Sequence, residues 1–366
     1  MDNPRILIAA GGTGGHVYPA IAIADALKAE NSETQVLFVG TKDHMEWKAV
    51  PKAGYKIKSV WISGFHRRLT LKNLVFPLKL VTSIVQSFGI VSSFKPQVMV
   101  SCGGYAAGPV GWVAGKRGVK IVIQEQNSFP GVTNRMLAKF ASKIFTAFKE
   151  AANYLPAEKI IESGNPTRNT LDKIEKQIGL ESFDFDNSKP VLMILGGSGG
   201  AKSINEAVKK NLDKLSDLQV IWQCGSRYID ALIKEVDLEK NKNIRLTAFI
   251  DSMPEAYAAA DLIVSRAGAS SCSEFMMTGK PSVLIPSPNV AGDHQTQNAL
   301  SMVDAGASEL LKDTDAVNAL PELVHSLIKD HEKLQAMNIA ALALAKPDAA
   351  KMIAREILEL AKSQNS

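Results

Sequence analysis

The pattern of apolar and polar positions divides the chain into short apolar runs separated by longer stretches of helical periodicity. In the first half the runs are Arg5 to Ala10, Gln35 to Val39, Gln97 to Ser101, Lys120 to Ile123 and Lys143 to Thr146. The second half repeats the theme with Val191 to Leu195, Gln219 to Trp222, Ile244 to Leu246, Leu262 to Ser265 and Ser282 to Ile285. Runs this short and this continuously apolar read as strands covered on both faces, and their alternation with helices predicts an α/β architecture built on parallel sheets. The tail from Pro347 to Lys362 carries Ile353, Ile357, Leu358 and Ala361 at helical spacing and is expected to cross back onto the first half.

Two of these strands end alike. Arg5 to Ala10 leads into Gly11-Gly-Thr-Gly-Gly-His16, and Val191 to Leu195 leads into Gly196-Gly-Ser-Gly-Gly200. Glycines let the backbone turn tightly and approach a ligand, while a helix that starts just after the turn offers unpaired N–H groups and partial positive charge to an anion. The Thr13 and Ser198 hydroxyls can add a donor each. Close packing of strand on helix is the alternative use of such glycines. The dinucleotide fingerprint G-x-G-x-x-G fails, because the third glycine counted from Gly12 falls on Val17, and no G-x-x-x-x-G-K-[ST] loop occurs.

With 366 residues the chain has room for about two domains, and a turn-rich junction at Gly164-Asn-Pro-Thr-Arg168 suggests where they meet. The expected division is 1–163 with 347–366, and 164–346. An apolar fraction of 46% with 22% charged residues argues against global disorder, and a net charge of +5 is too weak to imply nucleic acid. Cys102, Cys224 and Cys272 form no metal-binding spacing and read as reduced thiols of a cytoplasmic protein. No signal peptide is expected at the N-terminus. The uncharged stretch Leu80 to Phe94 falls short of the ~20 apolar residues of a spanning helix. Asp184-Phe-Asp186 matches a D-x-D metal motif but also a solvated loop before Lys189-Pro190.

Taken in order, Gly11-Gly-Thr-Gly-Gly-His-Val-Tyr-Pro-Ala20, Gly103-Gly-Tyr-Ala-Ala-Gly-Pro109, Glu125-Gln-Asn127, Gly164-Asn-Pro-Thr-Arg168, Gly196-Gly-Ser-Gly-Gly-Ala201, Ser265-Arg-Ala-Gly-Ala269 with Glu274, and Asp293-His-Gln295 with Asn298-Ala299 resemble the MurG family of glycosyltransferases. The resemblance spans nearly the whole chain. It implies a GT-B fold, two Rossmann-like domains facing across a cleft; with an arginine, a helix dipole and loop amides to meet the diphosphate and no credible metal-ligand cluster in the sequence, no cofactor or tightly bound metal is expected. The implied reaction is an inverting transfer of N-acetylglucosamine from UDP-N-acetylglucosamine (UDP-GlcNAc) to the 4-hydroxyl of the muramyl sugar of lipid I, giving lipid II. One departure is Gly199, where many relatives carry a larger polar residue such as Gln.

The resemblance also implies roles. Glu274 would accept the ribose hydroxyls, Ile250 would help read uracil through its backbone, and Arg168, Ser198, Ala269, Ser270 and Ser271 would hold the donor diphosphate. Gln295, His294 and Asn127 would face the sugar. Thr13, Gly14 and Gly15 count among the donor-binding groups and can also cradle the acceptor diphosphate with Gly103, Gly104 and Tyr105, while Asn134 would touch the muramyl sugar. His16, its imidazole kept neutral by a helix N-terminus, is the favoured general base. In the competing assignment His16 binds the acceptor diphosphate and Glu125 is the base.

Arg67, Arg68, Lys72 and Lys79 interleave with Leu74, Phe76 and other apolar residues, a mixture suited to a lipid headgroup layer. The expected partners are therefore UDP-GlcNAc, lipid I, an anionic membrane surface and a cell-wall synthesis complex, with no nucleic acid. The expected location is peripheral, on the cytoplasmic face of the membrane. Alternatives are a diacylglycerol glycosyltransferase, a UDP-GlcNAc 2-epimerase or a silent nucleotide-sugar scaffold, the last opposed by intact His16, Asn127, Arg168 and Glu274.

Overall fold

The computed structural model describes residues 3–64, 75–167, 171, 174–197, 199–290 and 293–363. The chain forms two compact units, residues 1–167 with 346–366 and residues 168–345. In the first, Arg5–Ala9 (β1), Gln35–Gly40 (β2), Lys56–Ser59 (β3), Val98–Ser101 (β4), Lys120–Glu125 (β5), Ala141–Thr146 (β6) and Ile160–Glu162 (β7) build one sheet. Its order is β3-β2-β1-β4-β5-β6-β7, and every pairing is parallel. The second unit holds Val191–Leu195 (β8), Gln219–Gln223 (β9), Ile244–Thr247 (β10), Leu262–Ser265 (β11), Ser282–Leu284 (β12) and Ser308–Leu310 (β13). These run in the order β10-β9-β8-β11-β12-β13, again all parallel.

Burial explains why these segments are strands. Ile6, Leu7, Ile8 and Ala9 are fully buried in consecutive positions, as are Leu192, Met193 and Ile194, because helices cover both faces of each sheet. The apolar pattern misses three strands, β3, β7 and β13, and each lies at a sheet edge. Lys56-Ile-Lys-Ser59 alternates with a half-solvated face, while β7 and β13 have only three residues apiece. Edge strands need less apolar surface and so leave a weaker trace.

The C-terminal helix Ala349–Lys362 buries Ile353, Ala354, Ile357, Leu358 and Ala361 in the cluster that also contains Ile6, Ile8, Val17 and Ile23 of the first unit. Ile357→Ala would leave a cavity in that cluster costing ~2–5 kcal/mol. Hydrogen exchange should accordingly quicken throughout the sheet of the first unit and leave β8 to β13 unchanged. Uniform loss across both units would contradict this packing.

Candidate active site

In the first unit the strand order reverses between β1 and β4. The connections after those strands leave toward opposite sides, and ligands of parallel sheets bind at such a point. Both connections are glycine-rich and touch through their backbones. A Cβ at Gly104 would lie 2.3 Å from the Gly11 carbonyl oxygen, and its φ of +86° is left-handed, so glycine is required. Gly103 lies against the His16 ring, where a Cβ would come within 2.9 Å of Cδ2 and 3.1 Å of Nε2.

His16 sits in the first turn of the helix Gly14–Glu30. Its Nδ1 lies 3.0 Å from the Gly11 carbonyl oxygen and 3.3 Å from Thr13 Oγ1. A carbonyl can only accept, so Nδ1 carries the proton and the lone pair resides on Nε2. That tautomer suits a base acting on the Gly103 side of the ring.

Glu125 ends β5 with its carboxylate almost fully buried. It accepts from Asn127 N at 3.0 Å, Asn127 Nδ2 at 3.2 Å, Gly131 N at 3.1 Å and Asn134 Nδ2 at 2.8 Å. Asn134 Oδ1 in turn accepts from the Ser101 hydroxyl at 2.8 Å, so this buried amide braces Glu125 from inside. A second buried network joins motifs distant in sequence. Gln124 Nε2 donates to Asn165 Oδ1 at 2.9 Å, Asn165 Nδ2 to the Gln126 carbonyl at 3.2 Å, and Gln126 Nε2 to the Cys102 carbonyl at 2.9 Å. Tyr105 is exposed, its ring resting on Gly64, where a Cβ would lie 2.3 Å from Cζ.

The second unit reverses its strand order between β8 and β11. After β8 the chain presses on the turn after β9: a Cβ on Gly225 would meet Gly200 N at 2.2 Å, with φ of +90° at Gly225. After β11, Arg266 donates to the Ile285 and Pro286 carbonyls, to Ser203 Oγ at 2.9 Å and to Asp313. This guanidinium ties three connections together, a bracing role that its motif alone does not reveal.

The helix Ala269–Thr278 then begins at Gly268, and its first turn carries Ala269, Ser270 and Ser271. The Ser270 hydroxyl is buried with no hydrogen-bond partner among the described residues, as expected of a group kept for a ligand. Glu274 lies further along the same helix, and Oε2 accepts from the fully buried Tyr257 hydroxyl at 2.6 Å. Tyr257 is itself fixed edge-on against Phe275.

Nearby, Gln295 Oε1 accepts from Ser287 N at 2.8 Å, which directs its amide nitrogen elsewhere. Asn298 Nδ2 donates to the Ala267 carbonyl at 3.1 Å and anchors the helix His294–Asp304, whose first residue is His294. Ile250 N donates to Gln223 Oε1 at 3.0 Å, so base recognition there would draw on neighbouring backbone groups, the Ile250 carbonyl among them.

The structure thus divides the sequence-derived donor set. Thr13, Gly14, Gly15 and Asn127 stand in the first unit, and Ile250, Ala269, Ser270, Ser271, Glu274, His294 and Gln295 in the second. Arg168, Ser198, Arg67, Arg68, Lys72 and Leu74 lie outside the described residues. Phe76 packs against the core of the first unit and so turns inward from any lipid, and Lys79 donates to Ser63 Oγ at 3.0 Å while lying over Trp61.

Asp184-Phe-Asp186 precedes β8, at the opposite edge of the sheet from Gly196 to Gly200. Asp186 accepts from the Ser188 backbone and hydroxyl, which hold its carboxyl below the usual range. Among the described residues no cluster of His, Cys, Asp and Glu could hold a metal. Burial pushes the Cys102 thiol up, the Glu125 charge adding to it, and pushes Cys272 up to about 12, so neither offers a thiolate at neutral pH.

Comparison with known proteins agrees with this fold. Residues 6–146 match the glycosyltransferase family 28 N-terminal domain and 191–353 its C-terminal domain. Over 370 residues, covering all of both chains, the sequence is 44% identical to the UDP-N-acetylglucosamine–N-acetylmuramyl-(pentapeptide) pyrophosphoryl-undecaprenol N-acetylglucosamine transferase of Flavobacterium psychrophilum. Crystalline MurG of Acinetobacter baumannii superposes with a TM-score of 0.76 at 26% identity, covering 98% of this chain and 99% of that one. A UDP-GlcNAc 2-epimerase from Neisseria meningitidis shares the fold alone, with a TM-score of 0.66 at 14% identity over 97% of this chain and all of that one.

The glycine loops differ in tolerance. Gly225→Ala should destabilise the protein by ~1–3 kcal/mol or more, given its left-handed φ and the Gly200 contact. Gly199 has open space around it and no left-handed φ, so Gly199→Ala should stay within ~1 kcal/mol of wild type. Urea titration distinguishes the two, and equal effects would contradict the loop geometry.

Proposed function

The chain belongs to glycosyltransferase family 28, and on that premise we propose how its two units share one reaction. The enzyme is an N-acetylglucosamine transferase that moves the sugar from UDP-GlcNAc to lipid I, forming lipid II. In our reading the second unit holds the donor. One observation carries this assignment: a helix at the β8/β11 reversal combines an N-terminus suited to an anion, a Ser270 hydroxyl with no partner among the described residues and the Glu274 carboxylate braced by Tyr257. Amides at Ala269 to Ser271 suit a diphosphate, and a carboxylate suits a pair of ribose hydroxyls. Gln295 can offer its amide nitrogen to the sugar.

The first unit holds the acceptor in this reading, its diphosphate against the Gly14-Gly15 and Gly103 to Tyr105 backbone. The chemistry is a direct displacement at the anomeric carbon. His16 Nε2 takes the proton of the muramyl 4-hydroxyl as the oxygen attacks, and the bond to UDP breaks with inversion. Charge gathering on the departing diphosphate is met by the helix N-terminus, with Arg168 and Ser198 completing the site. Glu125 already serves four donors, which favours His16 as base and leaves Glu125 to hold Asn127 and the 127–134 turn.

Lipid I is anchored in a bilayer, yet no described helix is long and apolar enough to cross one. The helix Phe76–Phe94 instead exposes Leu78, Val81, Val85 and Phe88, with Arg117 over the Phe88 ring at 4.8 Å. We assign this face, together with Lys79, to the surface of an anionic membrane, and place the enzyme there as a peripheral protein on the cytoplasmic side. Any cell-wall synthesis complex would be met on the same side.

Labelled UDP-GlcNAc and a lipid I analogue should give labelled lipid product. Glu274→Ala should raise the donor KM roughly tenfold to a hundredfold, for a loss of ~1.5–3 kcal/mol, and leave the acceptor KM nearly unchanged. Equal rises in both would overturn the division of substrates. On vesicles rich in anionic lipid, Val85→Glu with Phe88→Glu should abolish co-sedimentation while turnover of a soluble acceptor persists. Undiminished sedimentation would move the membrane face elsewhere.

A further inference from the structure

A buried carboxylate lies behind the first glycine loop. Glu46 opens the helix Glu46–Lys52 and is fully buried. Its Oε1 accepts from Thr41 N at 3.0 Å and Thr41 Oγ1 at 2.8 Å, while Oε2 accepts from Gly12 N at 3.1 Å. Two glycines make room for it: a Cβ at Gly11 would lie 2.7 Å from Oε1, and one at Gly40 would lie 2.5 Å from Cγ. Among the described residues no cation pairs with it within ion-pair distance.

The Gly12 N–H belongs to the same peptide group as the Gly11 carbonyl. That carbonyl is the acceptor 3.0 Å from His16 Nδ1. We propose that Glu46 is a positioning residue for His16, acting through the single Gly11–Gly12 peptide. This assignment rests on His16 being the general base. Holding the N–H end of the peptide fixes the direction of its carbonyl, and so fixes the imidazole tautomer with the lone pair on Nε2. A negative group at the N–H end also polarises the peptide, enriching the carbonyl oxygen in charge and making it a better acceptor from Nδ1.

When Nε2 takes a proton from the acceptor hydroxyl, the resulting imidazolium is stabilised by that same carbonyl. The carboxylate never touches substrate. It occupies the Gly12 amide, so anion binding by the loop falls to amides further into the turn, at Gly14 and Gly15. A negative charge so close behind a diphosphate site would otherwise be a liability. Its place behind a histidine explains why the fold keeps it.

Other polar and titratable groups lie on the elements that carry the ring and Gly103. Tyr18 lies on the same helix, packed near Gly14. Across Gly103 stands Asn134, whose amide leads to Glu125, with buried Cys102 just after β4. Glu125 would also favour the imidazolium, but it remains in place when Glu46 is changed.

The test replaces Glu46 with Gln in the full-length protein. Gln keeps the volume but removes the charge, and its one carbonyl oxygen can serve Thr41 or Gly12 but not both, which sets an amide N–H against an N–H donor. Nitrogen NMR of the imidazole, with His16 assigned by its loss in His16→Ala, reads tautomer and titration point directly. In Glu46→Gln the titration point should fall by about half a unit or more, and the fraction protonated at Nδ1 should drop. The kcat should fall about tenfold with the donor KM nearly constant, since the donor site belongs to the other unit.

An unchanged tautomer and titration point in folded Glu46→Gln would overturn the proposal. Should His16→Ala retain kcat, the base assignment falls, while the NMR result still decides whether Glu46 governs the ring. If Glu46→Gln does not fold, Glu46→Asp withdraws the charge by one methylene and carries the same test. A downward shift supports the proposal and an unchanged titration overturns it.

Discussion

The structure depends on backbone meeting backbone at the carboxyl edge of each sheet, at the β1/β4 reversal in the first unit and between the connections after β8 and β9 in the second. Gly104 lies against the Gly11 carbonyl in the first unit, and Gly225 against Gly200 N in the second. At these distances no side chain fits between the chains, and the glycines concerned have left-handed φ. The contacts bring two loops from separate strands into one surface rich in amide groups at the carboxyl edge of each sheet. A diphosphate needs such a surface, because peptide N–H groups held by a fold need no reorganisation when charge arrives.

Around each contact the fold adds a carboxylate whose direction is fixed by a neighbour. Glu274 is braced by the Tyr257 hydroxyl, Glu125 by Asn134 and the turn at Gly131, and Glu46 by Thr41. A buried carboxylate without such partners would be costly, whereas one with all its lone pairs served becomes a rigid fixture. The three differ in what they can do. Glu125 and Glu46 are nearly or fully buried and spend their oxygens on protein donors, which suits them to holding loops. Glu274 is only partly buried, and so can offer acceptor capacity to a ligand.

Much of this was legible in the chain. Central strands such as Arg5–Ala9 and Val191–Leu195 declare themselves because both faces are covered, and the paired glycine clusters mark their ends. Edge strands β3, β7 and β13 did not, for the solvated or short reasons already given. The site motifs pointed to these loops but could not assign each residue's partner. Asn134 was expected to touch the muramyl sugar; it is buried, and its amide nitrogen donates to Glu125. Glu46, Tyr257 and Arg266 were silent as functional residues because their roles arise from hydrogen bonds to residues 34, 17 and 47 positions away.

The central claim is that the nucleotide sits at the β8/β11 reversal of the second unit. Hydrogen exchange of the full-length protein with and without UDP measures this directly. The account predicts slowed exchange in the 196–200 loop, around Ile250 and along the first turns of the helix Ala269–Thr278, with the opposite edge of the sheet unaffected. Protection confined instead to that opposite edge, where Lys176, Ser188, Asp261 and His331 line a shallow pocket, would contradict it.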